Sequence, residues 1–305
     1  MAAHVTTEGT ICAVHSQESL SKTCRSEGSE SAMHSELYQR VSPACCYITV
    51  FLGDEKISEG TGFAFSTQGE VLTAAHVVTG RWPIRKADYQ GPAQKIYCKF
   101  PGLPVLEYAV LVCGIDLEVS AFNSVVQIDL AVLLLRADNA NIPVVPHIPA
   151  RTTAPRLGEQ VFMAGYSEEL ELPFRVNGIL KSSYPGVDQF QKAMAKGYMA
   201  DLTGPLFKRG VIGNIQSVVA ANTKVGDRVQ CEVMYIDNAM HSGASGGPLF
   251  NANGEAVGVV SQRAVTSVDS GNKGMLSIPS GCTVAVSLAP MIHVEKRAAE
   301  AGIKR

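Results

Sequence analysis

Twelve short apolar segments, punctuated by glycine, proline, asparagine and aspartate, constrain this chain more than any other feature. The first six are Cys46–Leu52, Thr61–Ser66, Val71–Ala75, Lys95–Phe100, Leu106–Cys113 and Ile128–Leu135. The second six are Gln160–Tyr166, Val211–Ala220, Val229–Asp237, Pro248–Asn251, Ala256–Ser261 and Thr283–Leu288. Val, Ile, Phe and Tyr are frequent in them, and these residues suit a pleated, half-buried surface. Many short strands with turn signals between them predict an all-β chain, a sandwich or a barrel. The Pro- and Asn-rich stretch Ala137–Arg156 divides the series into two β units of similar size. A length of 305 residues agrees with two domains.

Two stretches break the pattern. Val187–Leu202 carries Phe190, Met194, Tyr198 and Leu202 at a spacing of four, which predicts one apolar helical face. Ser287–Ala301 also reads as helix, with Pro290 in its first turn. Residues 1–40 are rich in Ser, Thr, Glu and Lys without lasting periodicity, and read as a disordered leader, or as an inhibitory or targeting segment. The expected organisation is leader 1–40, first β unit 41–150, second β unit 151–288 and helical tail 289–305.

Composition removes several classes of function. With 46% hydrophobic and 18% charged residues, the chain has the apolar material for a large core and is not disordered throughout. A net charge of −2 argues against a nucleic-acid partner. No window approaches 18 consecutive apolar residues, so no membrane partner is expected. The first twenty residues lack a basic start followed by an apolar stretch, so no ordinary secretory signal is visible, and localisation is left open among a cytoplasmic protein, a mature form and one exported by a signal-independent route. Eight cysteines are too few for a disulfide scaffold, and those in apolar runs (Cys98, Cys113, Cys231) read as reduced, buried thiols. Cys12, His15, Cys24 and His34 fit no zinc spacing, so no metal or other cofactor is expected.

Three strings carry chemistry: Leu72-Thr73-Ala74-Ala75-His76-Val77-Val78, Ile128-Asp129-Leu130-Ala131-Val132-Leu133, and His241-Ser242-Gly243-Ala244-Ser245-Gly246-Gly247-Pro248-Leu249. A serine is a weak nucleophile until a base takes its proton. A histidine is such a base near neutral pH. A carboxylate behind it fixes the tautomer and steadies the imidazolium. Attack on a carbonyl creates an oxyanion that needs preplaced N–H donors, and the backbone around Gly243 and Ser245 offers two of them. The candidate catalytic residues are therefore His76, Asp129 and Ser245, with an oxyanion hole from the N–H groups of Gly243 and Ser245.

These strings resemble the trypsin-like (chymotrypsin-fold) serine peptidases, and most closely their HtrA/Deg-like bacterial-type branch. That branch reads Asp-Ala-Ala-Ile-Asn-(Pro)-Gly-Asn-Ser-Gly-Gly through its nucleophile. Asp237-Asn238-Ala239-Met240-His241-Ser242-Gly243-Ala244-Ser245-Gly246-Gly247 is similar in register. The resemblance spans roughly Ser42 to Leu288 and implies two six-stranded β-barrels, with His76 and Asp129 from the first and Ser245 from the second. It implies a serine endopeptidase acting on a protein or peptide substrate through an acyl-enzyme, without a cofactor. It also implies activation by loop ordering, and places Ala239, six residues before Ser245, at the base of the specificity pocket. Ala239 carries no carboxylate for Arg or Lys, so a small or medium aliphatic residue is expected before the cut.

The chain departs from the family at several points. Val77 stands where digestive members carry a cysteine after the histidine, so their disulfide framework is absent. Only 17 residues follow Leu288, too few for the PDZ domain usual in HtrA-like proteins. Ser167–Pro205 is longer than its compact counterpart, and its helix reads as a packed amphipathic element or as a lid. His241 is a second histidine near Ser245, read as a pocket-wall or surface residue. Two rivals remain. A trypsin-like fold survives as a catalytically silent scaffold or binding module. Alternatively, Gly243-Ala244-Ser245-Gly246-Gly247 fits the elbow of an α/β-hydrolase esterase, with Asp269 and His293 following. Oligomeric state is left open.

Overall fold

Each apolar segment becomes a strand, and several strands run on into polar residues where one face meets solvent. The computed structural model describes residues 32–118, 125–136, 143–167, 185–221, 228–269 and 275–293. The chain divides into two units, Met1–Arg40 and Val41–Arg305. In the first, residues 32–40 are helical (α1). The remainder of the expected leader, and the tail beyond residue 293, lie outside the described residues.

The second unit contains two closed barrels. The strands of the first are β1 (Cys45–Leu52), β2 (Glu55–Ala64), β3 (Val71–Thr73), β4 (Gln94–Lys99), β5 (Val105–Glu118) and β6 (Val125–Leu135). They close in the order β1-β2-β3-β6-β5-β4, every pair antiparallel. Those of the second are β7 (Gln160–Gly165), β8 (Leu206–Ala221), β9 (Arg228–Ile236), β10 (Pro248–Phe250), β11 (Ala256–Asp269) and β12 (Met275–Ser287). Their order, β7-β8-β9-β12-β11-β10, repeats that of the first. This is the trypsin-like two-barrel fold. It excludes the alternation of strands and helices that an α/β-hydrolase requires.

The closing seams differ. β1 meets β4 over six residue pairs, from Tyr47↔Lys99 to Leu52↔Gln94. β7 meets β10 over two, Phe162↔Phe250 and Met163↔Leu249. Side-chain burial supports the shorter seam. Phe162 and Phe250 are fully buried with ring centroids 5.7 Å apart. Met163 and Leu249 belong to the barrel core with Ile212, Met234, Ile236 and Ala285. Each such side chain contributes about 1.5–3 kcal/mol when removed from water.

The expected continuous helix over Val187–Leu202 is corrected. It is broken into α3 (Val187–Ala193), a π turn (Met194–Tyr198) and α4 (Ala200–Thr203). The break falls at Gly197, whose φ of +114° is accessible only without a Cβ. Its packing is not a simple apolar stripe either, since Leu202 is exposed while Val187, Gly197 and Ala200 are buried. This insertion covers the outer face of β4. There Lys99 is fully buried, with Nζ 2.5 Å from Asp201 Oδ1, 2.8 Å from the Phe100 carbonyl and 5.2 Å from the Tyr198 ring centre. The expected C-terminal helix does not begin at Ser287, which is the last residue of β12. Ser287 is held in the ladder: its Oγ donates to Glu232 Oε2 at 2.6 Å and accepts from Glu232 N at 3.0 Å. Only residues 291–293 are helical in the described part of that stretch.

Candidate active site

His76 is the second residue of the short helix α2 (Ala75–Thr79), which starts directly after β3. The β3–β6 register pairs Val71 with Leu133, Leu72 with Val132 and Thr73 with Ala131. Continued by two residues, that register brings Asp129 level with the start of α2. The helix has no side-chain cap of its own. Asp129 supplies one from the neighbouring strand: its Oδ1 accepts the His76 backbone N–H at 3.0 Å. Its Oδ2 lies 2.8 Å from His76 Nδ1. An ionised carboxylate only accepts, so Nδ1 carries the proton and the Nε2 lone pair of the neutral ring is left for other work.

Asp129 is 7% exposed. Burial alone would raise its pKa. The His76 ring's hydrogen bond and charge, the Ser261 hydroxyl and the His76 backbone N–H outweigh it and hold the carboxyl below its usual range. Ser261 Oγ donates to Asp129 Oδ2 at 2.5 Å. Ser261 falls at a register shift between Val260 and Gln262 in the β11–β12 ladder. A bulge of this kind re-aims one residue out of the ladder, here toward the other barrel.

Ser245 lies in the loop between β9 and β10. Before it, the Ala244 N–H donates to the His241 carbonyl at 3.4 Å and closes a four-residue turn. Gly243 occupies the third position with φ +85°, which a type II turn reserves for glycine. The turn's own bond leaves the Gly243 N–H out of it. Ala244 is fully buried in the core of the second barrel and anchors the loop. After the serine, the Gly246 N–H donates to the Val260 carbonyl at 2.7 Å. The Ser245 hydroxyl donates to the Ser261 carbonyl at 2.9 Å. Ser261 therefore touches both Asp129 and Ser245.

His76, Asp129, Gly243 and Ser245 line one cleft of about 530 Å³. Its walls include Val233, Val260, Val284 and Val286 from the second barrel and Trp82 and Ile128 from the first. His241 also lines it, 8% exposed, with Nδ1 3.3 Å from the Ser242 carbonyl. Ala239 is not among the lining residues, but its neighbours Met240 and His241 are. The Ala239 carbonyl accepts from Lys208 Nζ at 2.5 Å. Among the described residues, no group of His, Cys, Asp or Glu is arranged to hold a metal ion, and no helix is long and apolar enough to cross a membrane. The six cysteines among the described residues are free thiols, all buried except the half-buried Cys282.

Sequence reasoning missed Ser261 and a second residue, Thr61. The only trace of Ser261 was a polar residue closing the apolar run Ala256–Ser261.

The family model of the trypsin-like peptidase domain matches residues 60–259. No curated protein matches the chain. Among solved structures, the active form of the Rv3671c protease from M. tuberculosis aligns with a TM-score of 0.51 at 17% identity, covering 90% of this chain and 87% of that one. Its inactive form gives 0.47 at 16%, covering 87% and 94%. The serine endoprotease of Yersinia pestis gives 0.49 at 18%, covering 88% and 67%. At such identities the structural likeness is one of fold.

Proposed function

The chain belongs to the trypsin-like peptidase family and is a serine protease acting on proteins; on that premise we propose that it is an endopeptidase working through a His76–Asp129–Ser245 triad and an acyl-enzyme. The observation that carries this reading is the hydrogen-bonded His76–Asp129 pair facing the same cleft as Ser245. For attack, the Ser245 hydroxyl turns from the Ser261 carbonyl to His76 Nε2, which takes its proton as Oγ adds to the scissile carbonyl. The N–H groups of Gly243 and Ser245 hold the resulting oxyanion. His76 then protonates the leaving amine, and the ester on Ser245 forms as the peptide bond breaks. Water, deprotonated by His76, hydrolyses that ester and restores the serine. Asp129 keeps Nδ1 protonated and balances the imidazolium throughout.

The cleft favours a small or medium aliphatic residue before the cut. Its second-barrel lining sets Val218, Val233, Val284 and Val286 beside Gln262 and Arg263, without a carboxylate, and Lys208 Nζ donates to the Ala239 carbonyl. A basic substrate side chain would find no carboxylate there. A peptide library is expected to select Ala, Val or Leu at that position; strong selection of Arg or Lys overturns the assignment.

The triad is tested with a fluorophosphonate probe and a protein substrate, on wild type and Ser245→Ala. Wild type is expected to be labelled and the variant not, with kcat lower by about a millionfold in the variant. Retained hydrolysis by purified, folded Ser245→Ala overturns the triad.

A further inference from the structure

Thr61 is a fully buried residue of β2, and each of its polar groups is engaged. Its N–H donates to the Ser245 carbonyl at 2.8 Å. Its carbonyl accepts the Thr73 hydroxyl at 2.7 Å. Its own hydroxyl accepts the Tyr166 N–H at 2.9 Å and donates to the Gly243 carbonyl at 2.8 Å. The direction of the last bond is fixed by chemistry. A backbone N–H only donates and a carbonyl only accepts, so the single hydroxyl proton points at Gly243.

We propose that Thr61 is the positioning residue of the oxyanion loop, resting on the triad reading above. One first-barrel residue captures the carbonyls of both Gly243 and Ser245, the two residues whose N–H groups are assigned to the oxyanion. Peptide planes are rigid, so a captured carbonyl restricts the backbone on both sides of it. Between the two captured carbonyls lies only Ala244, whose methyl is locked in the core. The captured carbonyl belongs to the Gly243–Ala244 peptide and the donor N–H to the Ser242–Gly243 peptide, on opposite sides of the Gly243 Cα; without the Thr61 hydroxyl, glycine has the freedom to rotate between the two planes and re-aim the donor. Thr73 adds a second link. It stands three residues before His76 and binds the Thr61 carbonyl, so the approach to the base and the loop of the nucleophile are gauged from one residue.

The test compares Thr61→Val, which keeps the shape and loses the hydroxyl, with Thr61→Ser, which keeps the hydroxyl. The readouts are kcat and KM on a fluorogenic peptide, the rate of fluorophosphonate labelling, and the thermal midpoint. Loss of an oxyanion donor costs about a hundred- to a thousandfold in kcat. Thr61→Val is expected to lose a substantial part of that, about ten- to a hundredfold, with KM within about threefold and labelling slowed in step with kcat. Thr61→Ser is expected to stay within about threefold of wild type, since the bond to Gly243 is retained. If Thr61→Val does not fold, Thr61→Cys, a much weaker donor, replaces it with the same expectation. Wild-type kcat in the hydroxyl-free variant, or equal losses in the Ser and Val variants, overturns the role of Thr61 alone. An unlabelled wild type, or a labelled Ser245→Ala, overturns the triad and the role of Thr61 with it.

Discussion

The two barrels repeat one strand order, yet they are closed to different degrees. The first is sealed by six ladder pairs between β1 and β4, the second by two between β7 and β10. In both, the candidate reactive residue adjoins a strand of only three residues: His76 follows β3, and Ser245 precedes β10. A short strand releases its neighbouring chain early, so that chain turns into the cleft while the longer strands keep the ring closed. The second barrel gives up more of its ladder for this. It is supported by the Phe162–Phe250 stack and by Thr61 of the first barrel.

The first test falls on the tighter barrel. Asp129→Asn removes an acceptor that fixes the His76 tautomer, and kcat should fall about ten-thousandfold with the fold intact. A loss under tenfold in steady-state assays would remove Asp129 from the triad. The same variant reports on pH. The native Asp129 carboxyl lies below its unfolded value, so its stabilisation is complete above the unfolded pKa of about 3.9 and is lost as pH falls through the native one. The stability difference between wild type and Asp129→Asn should shrink on acidification below about pH 4. Denaturant titrations in which it grows below that pH would contradict the assigned shift.

The looser barrel is tested next. Phe250→Ala should cost about 3–5 kcal/mol, because the two-pair seam has little ladder to share the loss. By hydrogen exchange, the β7–β10 amides of this variant should open before those of β1–β4. Simultaneous opening of the two seams would mean that ladder length does not set their relative strength. The smallest effect concerns the thiols. Cys45, Cys46, Cys98 and Cys113 of the first barrel are buried, and burial pushes Cys113 up to about 12. Cys231 of the second barrel is pushed up to about 11, again by burial, while Cys282 is half-buried. Iodoacetamide at neutral pH should therefore modify Cys282 first among these six; earlier labelling of Cys45, Cys46 or Cys98 by mass spectrometry would contradict their burial.

The strands were legible because burial on a barrel wall writes itself into local composition. The three motif strings were legible because nucleophile, base and carboxylate need particular residue types. Ser261 was not, because its placement depends on a register shift that no local pattern marks. Thr61 was hidden in an apolar run, since its partners Gly243 and Tyr166 lie more than a hundred residues away. The spacing of four in Val187–Leu202 predicted a helix correctly in kind but not in continuity. One glycine and the outer face of the first barrel decided its path. At Ser287, hydrogen bonds to Glu232 extended a strand where local propensity favoured a helix.

Lys99 and Asp201 are separated by 102 residues of sequence. On a ribosome the lysine emerges long before its carboxylate. Enclosing an unpaired ammonium is costly, so a nascent first barrel keeps this side chain in water. Its outer wall can dry only after the insertion between β7 and β8 has been made. Synthesis is thus vectorial but completion is not, and the first half of the chain is finished by the second.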